Sequence, residues 1–204
     1  MNELYIFGAG GHGSVVAEIA DLLGYTIAGF IDDDPSRAGA AVLKWKVIGG
    51  RAAVPDGAMV ALGIGSNTPR AELMTYGEAR GWQFPALVHP SAVVSSSAVL
   101  GAGAVIMAQV AVNARARIGR GCVLNTSSSV DHDCVVYDFA HIAPGVRLAG
   151  SVTVGERTLI GIGSCARPWT SIGPDCVIGA GSAIVSDIPA GATAFGNPAR
   201  VQGE

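Results

Sequence analysis

The chain has 204 residues, of which 50% are hydrophobic and 14% charged, and its formal net charge is −3. This composition excludes a disordered chain, and the lack of a basic stripe argues against a nucleic-acid surface. No apolar run approaches the length of a membrane span and no charged leader precedes one, so the sequence predicts a soluble, cytoplasmic protein without a membrane partner. The four cysteines have no CxxC or metal-ligand spacing, so neither a disulfide framework nor a metal site is expected.

The first predicted unit is a strand, a glycine loop and a helix. An apolar run at positions 4–7 predicts a buried strand, the motif GAGGHG follows at positions 8–13, and a helical stripe covers positions 14–23. This order aims backbone N–H groups and a helix N-terminus at a phosphate. Gly8, Gly10 and Gly13 satisfy the GxGxxG pattern that is typical of nucleotide-binding folds.

Two further strands complete this unit. A strand at positions 26–31 ends in Asp32 and Asp33, where carboxylates could hold a ribose hydroxyl. Another strand, at positions 58–64, ends in Gly65, and a helix follows at positions 69–80. The composition changes near Pro85, so the sequence predicts a half-Rossmann-like α/β domain over residues 1–84 and a second domain over residues 85–204.

The ligand of the first domain is left open by the residues alone. NAD is disfavoured because the motif normally lies in a domain with two such halves, and there is room for one. A mononucleotide or a sugar nucleotide fits the half-size unit better. The alternative is that the glycines only make a tight strand-to-helix turn. His12, a polar ring at the crest of the loop, favours contact with a ligand.

From position 87 onward the sequence repeats every six residues. The second position of each hexad is aliphatic in seventeen successive hexads, from Val88 to Ile184, with Ala166 the one alanine. The residue four positions after each aliphatic one is usually small. Three of the four cysteines occupy this small-residue position, so packed thiols are expected. Neither a helix nor an alternating sheet has this period, whereas a β-solenoid with three strands per coil does. The sequence therefore predicts five to six coils.

These hexads resemble the hexapeptide-repeat acyltransferases, whose all-β domain is a left-handed parallel β-helix. The order GAGGHG, paired aspartates, NTSSSVDHDC and FAHIAPG narrows the resemblance to the sialic acid O-acetyltransferase and sugar N-acetyltransferase group. Within that group the chain is most similar to the PglD-like N-acetyltransferases of UDP-4-amino-4,6-dideoxy sugars. The resemblance covers nearly the whole chain. It implies acetyl-CoA as co-substrate, and a homotrimer with active sites between neighbouring solenoids.

The resemblance also implies a role for particular residues. His132 would be the general base and Asp133 would raise its basicity, at a place where PglD-like enzymes more often have glutamate. His141 would lie beside the acetyl-CoA thioester, with Ile162 and Ala180 along the pantetheine path and the segment 195–200 beside coenzyme A. The residues implied to hold the sugar nucleotide are Gly10, Gly11, His12, Asp32, Asp33 and Gly65.

The residues around the two solenoid histidines leave some choices open. His132 and His141 lie outside the aliphatic and small phases, so their side chains are predicted to point outward, where plain solvation is the alternative to function. A carboxylate neighbour favours function for His132. Asp131 and Asp133 flank it on either side, and spacing alone does not choose between them.

The expected reaction is direct transfer of an acetyl group from acetyl-CoA to the 4-amino group of a nucleotide-linked 4-amino-4,6-dideoxy sugar, with UDP as the favoured nucleotide. His132 would take the amine's proton, and a backbone N–H near Gly145 or Gly163 would stabilise the oxyanion. One alternative is an O-acetyltransferase acting on a sialic acid or a related sugar hydroxyl. Another is a nucleotide sensor or scaffold without enzymatic activity, in which the solenoid only joins three copies.

Overall fold

The computed structural model describes residues 3–203, which divide into one unit that ends at Leu87 and another that begins at Val88. The limits 1–84 and 85–204 given by composition stay a prediction. Between residues 3 and 203 no helix is long and apolar enough to cross a bilayer.

The first unit is a five-stranded sheet with two helices. Its elements are β1 (Glu3–Phe7), α1 (Gly11–Leu22), β2 (Thr26–Ile31), β3 (Ala41–Val42), β4 (Trp45–Gly49), β5 (Met59–Leu62) and α2 (Asn67–Ala79), with short 3-10 helices at Pro35–Arg37 and Arg51–Ala53. The sheet order is β3-β4-β2-β1-β5, and the strands are parallel apart from β3, which is antiparallel to β4. Leu4, Ile6 and Phe30 are fully buried in its core.

The order of the strands determines where a ligand can bind. From β1 the chain passes to β2 on one side and later to β5 on the other, so the strand order reverses beside β1. In open parallel sheets the crevice beyond the carboxyl ends of the strands at such a point is the ligand site. The loops after β1, β2 and β5 therefore line the candidate nucleotide site.

The structure differs from the predicted elements in this unit. The first helix begins at Gly11 and not at position 14, because Gly10 caps it and the motif's last glycines lie inside it. Gly13 is needed for contact: a Cβ there would lie 1.8 Å from the carbonyl oxygen of Gly8. Strands β3 and β4 were not predicted, since they are a short hairpin at the edge of the sheet whose turn includes Leu43 at a φ of +55°.

Seventeen two-residue strands follow over residues 87–184, one for each predicted hexad, and the first of them crosses the boundary between the two units. They are β6 (Leu87–Val88), β7 (Val93–Val94), β8 (Val99–Leu100), β9 (Val105–Ile106), β10 (Ala111–Val112), β11 (Arg117–Ile118), β12 (Val123–Leu124), β13 (Ser129–Val130), β14 (Val135–Val136), β15 (His141–Ile142), β16 (Arg147–Leu148), β17 (Thr153–Val154), β18 (Leu159–Ile160), β19 (Cys165–Ala166), β20 (Ser171–Ile172), β21 (Val177–Ile178) and β22 (Ala183–Ile184). The tail adds β23 (Thr193–Phe195) and β24 (Arg200–Val201).

Each strand pairs in parallel with the strand three further along, as Ala111 pairs with Ser129. Three flat sheets result, which makes this unit a parallel β-helix with three strands in each coil of 18 residues. We call the sheet of β7 to β22 the first face, that of β8 to β20 the second face and that of β6 to β24 the third face. The turns that follow their strands are the first, second and third corners.

The repeat explains both the core and the corners of the β-helix. The second residue of most hexads is buried, as at Ile106 and Val130, and each such side chain stabilises the fold by about 1.5–3 kcal/mol. The predicted packed thiols are confirmed: Cys122, Cys134 and Cys176 are buried. The fifth residue of every hexad from Gly103 to Gly181 has a left-handed φ, whatever its side chain.

Candidate active site

The loop after β1 leaves the N-terminus of α1 open. Gly10 and Gly11 have ordinary φ angles, and a Cβ on either would meet nothing within 4 Å. Packing therefore does not require glycine at these two positions, unlike at Gly13. Because Gly10 and Gly11 have no side chains, a ligand can approach the N-terminus of α1 closely. A helix N-terminus stabilises an anionic phosphate.

Asp32 ties this loop to the end of β2. Its carboxylate accepts hydrogen bonds from the backbone N–H of Ala9 at 3.2 Å and from the backbone N–H of Asp34 at 3.1 Å. Arg37 donates to the same carboxylate at 3.1 Å and to the carbonyl of Ala9 at 2.5 Å. Arg37, which was not predicted as a site residue, thus places a cation beside the glycine loop.

Asp33 is held by a second arginine. Its carboxylate accepts from the backbone N–H of Arg51 at 2.8 Å and from Nε of Arg51 at 2.7 Å. Partial burial pushes the pKa of Asp33 up, but the hydrogen bonds from Arg51 outweigh it and hold that pKa below its usual value. Asp33 is therefore ionised at neutral pH, and a ligand would meet it together with Arg51.

His12 and Gly65 lie side by side, since a Cβ on Gly65 would be 3.9 Å from Cγ of His12. The loop that carries Gly65 is fixed by Arg70, a fully buried residue of α2. Arg70 donates to the carbonyls of Ile64 at 3.1 Å and Gly65 at 2.9 Å. The six predicted sugar-nucleotide residues thus lie in the loops at the carboxyl edge of the sheet or at the first turn of α1.

The predicted general base lies on the first corner of the β-helix, just after β13. Nδ1 of His132 is 2.8 Å from Oδ2 of Asp133, and the His132 side chain is 53% exposed. Asp131 instead accepts the backbone N–H of His132 at 2.7 Å. In the structure the imidazole thus contacts Asp133 and not Asp131. An ionised carboxylate only accepts, so Nδ1–H donates and Nε2 is left with its lone pair.

Both aspartates are held from the preceding coil. Arg115 donates from Nε to Oδ1 of Asp133 at 2.7 Å and from Nη2 to Oδ2 at 2.8 Å. Asn113 donates to Asp131 at 2.9 Å. The hydrogen bonds from Arg115, and next that from His132, hold the pKa of Asp133 well below its usual range. The backbone N–H of His132, followed by Asn113, lowers the pKa of Asp131.

The following coil makes room for the imidazole. A Cβ on Gly150 would lie 2.6 Å from Cε1 and 2.7 Å from Nε2 of His132. The backbone N–H of Ser151 also donates to the carbonyl of His132 at 2.9 Å. Sequence reasoning singled out neither Arg115 nor Gly150, although each lies 18 residues from the residue that it supports.

The predicted acetyl-CoA residues lie on the third face and the third corner. His141 is the first residue of β15, and its Nε2 is 3.1 Å from Nδ2 of Asn125. Ile162, 60% exposed, and Ala180 occupy the same turn position one coil apart. Phe195 of the tail packs beside them, since a Cβ on Gly179 would be 2.7 Å from its Cβ. The structure places these residues on the third face and the third corner, and His132 on the first corner.

The two oxyanion donors suggested by the sequence are both engaged. The N–H of Gly145 donates to the carbonyl of Thr126 at 3.0 Å, and that of Gly163 donates to the carbonyl of Pro144 at 2.9 Å. These are bonds between successive coils, which the β-helix repeats at its corners. Neither of these two N–H groups is therefore available to an oxyanion, and a donor elsewhere in the glycine-rich stretch around them stays a prediction.

Known proteins share this arrangement across the chain. The PglD N-terminal domain family matches residues 3–76. The acetyltransferase domain of PglB from Neisseria gonorrhoeae is 39% identical, with a TM-score of 0.92 over 98% of this chain and 100% of that one. The same domain has been solved with acetyl coenzyme A, at 40% identity, a TM-score of 0.91 and coverage of 98% of both chains.

A second relative is perosamine N-acetyltransferase from Caulobacter crescentus, solved as a point mutant in complex with CoA and GDP-perosamine. It is 39% identical, with a TM-score of 0.95 over 100% of this chain and 98% of that one. The two relatives match both units at once, so the resemblance read from the sequence is confirmed. The chain belongs to the PglD-like family of acetyl-CoA-dependent sugar N-acetyltransferases, which are built on the hexapeptide-repeat β-helix.

Proposed function

We propose that this enzyme transfers the acetyl group of acetyl-CoA to the 4-amino group of a UDP- or GDP-linked 4-amino-4,6-dideoxy sugar. The contact between Nδ1 of His132 and Oδ2 of Asp133 carries the proposal, because it orients an exposed imidazole as a base. The relatives support the substrates: one is solved with acetyl coenzyme A, the other with CoA and GDP-perosamine.

The reaction needs one proton acceptor that later becomes a donor. The sugar amine attacks the thioester carbon, a C–N bond forms, and Nε2 of His132 takes the proton that the nitrogen loses. The tetrahedral intermediate then collapses and the C–S bond breaks. The coenzyme A sulfur leaves with the electron pair and receives the proton from the imidazolium. The ionised Asp133 stabilises that imidazolium without taking its proton.

The first unit supplies the sites for the nucleotide. The open backbone of Gly10 and Gly11 at the N-terminus of α1 is suited to the diphosphate, and Arg37 adds a positive charge beside it. Asp32 and Asp33, at the end of β2, lie where hydroxyl groups of the ribose or polar edges of the base could donate to carboxylates. Arg51 accompanies Asp33 there.

We propose in addition that the active form is a homotrimer. His132 lies on the first corner, whereas Ile162 and Ala180 lie on the third, one face away. Six extended residues span at most roughly 20 Å, which is the upper limit for the width of a face. The first face separates these two corners of one chain, and a neighbouring copy that brings its third corner to this chain's His132 would place the thioester beside that imidazole.

Mixing two inactive variants tests the trimer. His132→Ala removes the base, and Ile162→Asp blocks the apolar path on the third corner. Unfolded and refolded together, the two should regain a measurable part of wild-type turnover, because some sites then combine an intact first corner with an intact third corner. Sedimentation should give the mass of three chains. Mixed assemblies that stay inactive would place both substrates on a single chain.

Coenzyme A release tests the reaction itself. The enzyme is incubated with acetyl-CoA and UDP-, GDP- or dTDP-linked 4-amino-4,6-dideoxy sugars, and a free sialic acid serves as the hydroxyl control. Mass spectrometry of the products then shows whether one acetyl group has been added. Turnover on one amino-sugar nucleotide supports the proposal and identifies the nucleotide. Turnover on the sialic acid alone would assign O-acetylation. No transfer to any acceptor would favour a sensor or scaffold.

A further inference from the structure

Two arginine–aspartate forks in the β-helix have the same geometry. Arg115 binds Asp133, and Arg157 binds Asp175, in each case from Nε to Oδ1 at 2.7 Å and from Nη2 to Oδ2 at 2.8 Å. All four residues are the left-handed fifth residues of their hexads, with φ between +55° and +60°. Each fork joins one coil to the next.

The forks differ in the residue before the aspartate. Pro174 precedes Asp175, whereas His132 precedes Asp133 and shares Oδ2 with Nη2 of Arg115. We propose that Arg115 is a positioning residue for the reaction: it fixes the Asp133 carboxylate so that Oδ2 always faces Nδ1 of His132. This inference rests on the proposed role of His132 as base.

The first corner explains why such a clamp is needed. The Asp133 carboxylate is 38% exposed, so water competes for its oxygens and its side chain could rotate away from the ring. Aspartate is also one methylene shorter than the glutamate that the family resemblance led us to expect. A bidentate guanidinium restricts a carboxylate to one plane and one orientation, which a single charge does not do.

Arg115 also decides which tautomer the base adopts. Asp133 is ionised at neutral pH, and the fork keeps its Oδ2, which only accepts a hydrogen bond, opposite Nδ1 of His132. Nδ1 must then keep the proton, and Nε2 is the atom left to take the amine's proton. Asn113 holds the competing Asp131 away from the ring, where Asp131 accepts the backbone N–H of His132. Without Arg115, the ring nitrogens would lose this fixed assignment.

The test compares Arg115→Met with Arg157→Met, which removes the matched fork on the second corner. Arg115→Met should lower kcat about 10- to 100-fold, since a misplaced catalytic group costs up to about that much, and leave the KM of both substrates within about twofold. Arg157→Met should keep wild-type kcat. Arg115→Lys should recover only part of the loss, because it restores the charge but not the fork.

A second readout does not depend on turnover. In the protein labelled with ¹⁵N-histidine, the His132 ring should show one Nδ1–H tautomer in the wild type and in Arg157→Met, and a mixture in Arg115→Met. Equal kcat in the two methionine variants, a loss confined to KM, or an unchanged tautomer would each overturn the inference. A wild-type enzyme without acetyl transfer would defeat the proposed function instead, and the tautomer would still test Arg115. If Arg115→Met unfolds, Arg115→Gln takes its place.

Discussion

The imidazole of His132 lies against the Cα of Gly150, one coil further along the same corner, at a distance that leaves no space for a methyl group. A Cβ on Gly150 would lie 2.6 Å from Cε1 of the ring, well inside the contact distance of two carbon atoms. Gly150 therefore acts as the surface on which the base rests. Two neighbouring coils hold the His132 segment. Arg115 and Asn113 bind the aspartates on either side of His132 from one coil, and Gly150 packs against its ring from the other.

Gly150→Ala should displace the imidazole and lower kcat about tenfold or more, because the ring must rotate away from the added methyl group. Alanine already occupies the same turn position two coils earlier on this corner, at Ala114, so the corner itself tolerates it. The measurement is kcat in a double-mutant cycle with His132→Ala. The two losses should not add, since the methyl group acts only through the ring. Additive losses would mean that Gly150 serves another purpose.

His132→Ala should lower turnover by about 10²- to 10⁴-fold, the contribution of a positioned general base, and leave the affinity for the nucleotide sugar unchanged. Steady-state coenzyme A release gives the first quantity and calorimetric titration the second. His89→Ala is the matched control: His89 accepts the backbone N–H of Ser91 at the start of the β-helix and should be dispensable for turnover. A similar loss of affinity and turnover would remove His132 from the role of base.

Gly13→Ala and Gly11→Ala should separate packing from ligand binding. The first would place a Cβ 1.8 Å from the carbonyl oxygen of Gly8, so the helix must move and thermal unfolding should shift down by several degrees. The second meets nothing within 4 Å and should keep the melting temperature. It should still weaken binding of the nucleotide sugar by narrowing the approach to the helix N-terminus. Unchanged affinity in Gly11→Ala would exclude the glycine loop from the site.

The fork at Asp175 should make stability depend on pH in the acid range. Hydrogen bonds from Arg157 lower the pKa of Asp175 in the folded protein from its usual 3.8. As the pH falls, the unfolded chain therefore takes up a proton at Asp175 before the folded protein does. The stabilisation is fully present above pH 3.8 and is lost as the pH falls through the lower value of the folded protein. For so exposed a pair it amounts to about 0.2–1 kcal/mol.

Asp175→Asn tests this dependence by thermal unfolding between pH 2 and pH 7. The variant should be less stable than the wild type at pH 6, and the difference should shrink as the pH falls below 4. A difference that stays constant over the whole range would show that the carboxylate's charge contributes nothing.

The repeat could be predicted in full because every coil has the same pattern of aliphatic and small residues. Seventeen aliphatic positions in one phase, from Val88 to Ile184, leave no other register. The first unit has no such redundancy. The edge hairpin of β3 and β4 is short and has a left-handed turn residue, Leu43, which propensity does not anticipate. The start of α1 lies among glycines, which have low helix propensity. Tertiary contacts outweigh this low propensity, so propensity alone places the start of the helix too late.

The contact between His132 and Asp133 could be predicted because the two residues are adjacent in sequence, but the residues that support this contact could not be found by adjacency. Arg115 is 18 residues from Asp133, and the same spacing joins Arg120 to Asp138 and Arg157 to Asp175. Once the length of a coil is known, this recurring interval is a readable signal. Arg70 gave no comparable sign, since an arginine on a predicted helix is ordinarily taken as solvated.

The fixed length of the coil limits how this active site can vary. Along one corner, successive positions are separated by one coil, about 4.8 Å, and no intermediate spacing exists. One residue inserted within a strand would turn its aliphatic side chain out of the core, so within the regular coils these spacings are fixed. Fine adjustment of the distance between a base and its partner is therefore left to side-chain length. In this protein the short side chain of Asp133 reaches the His132 ring, and the long side chain of Arg115 reaches Asp133 from the preceding coil.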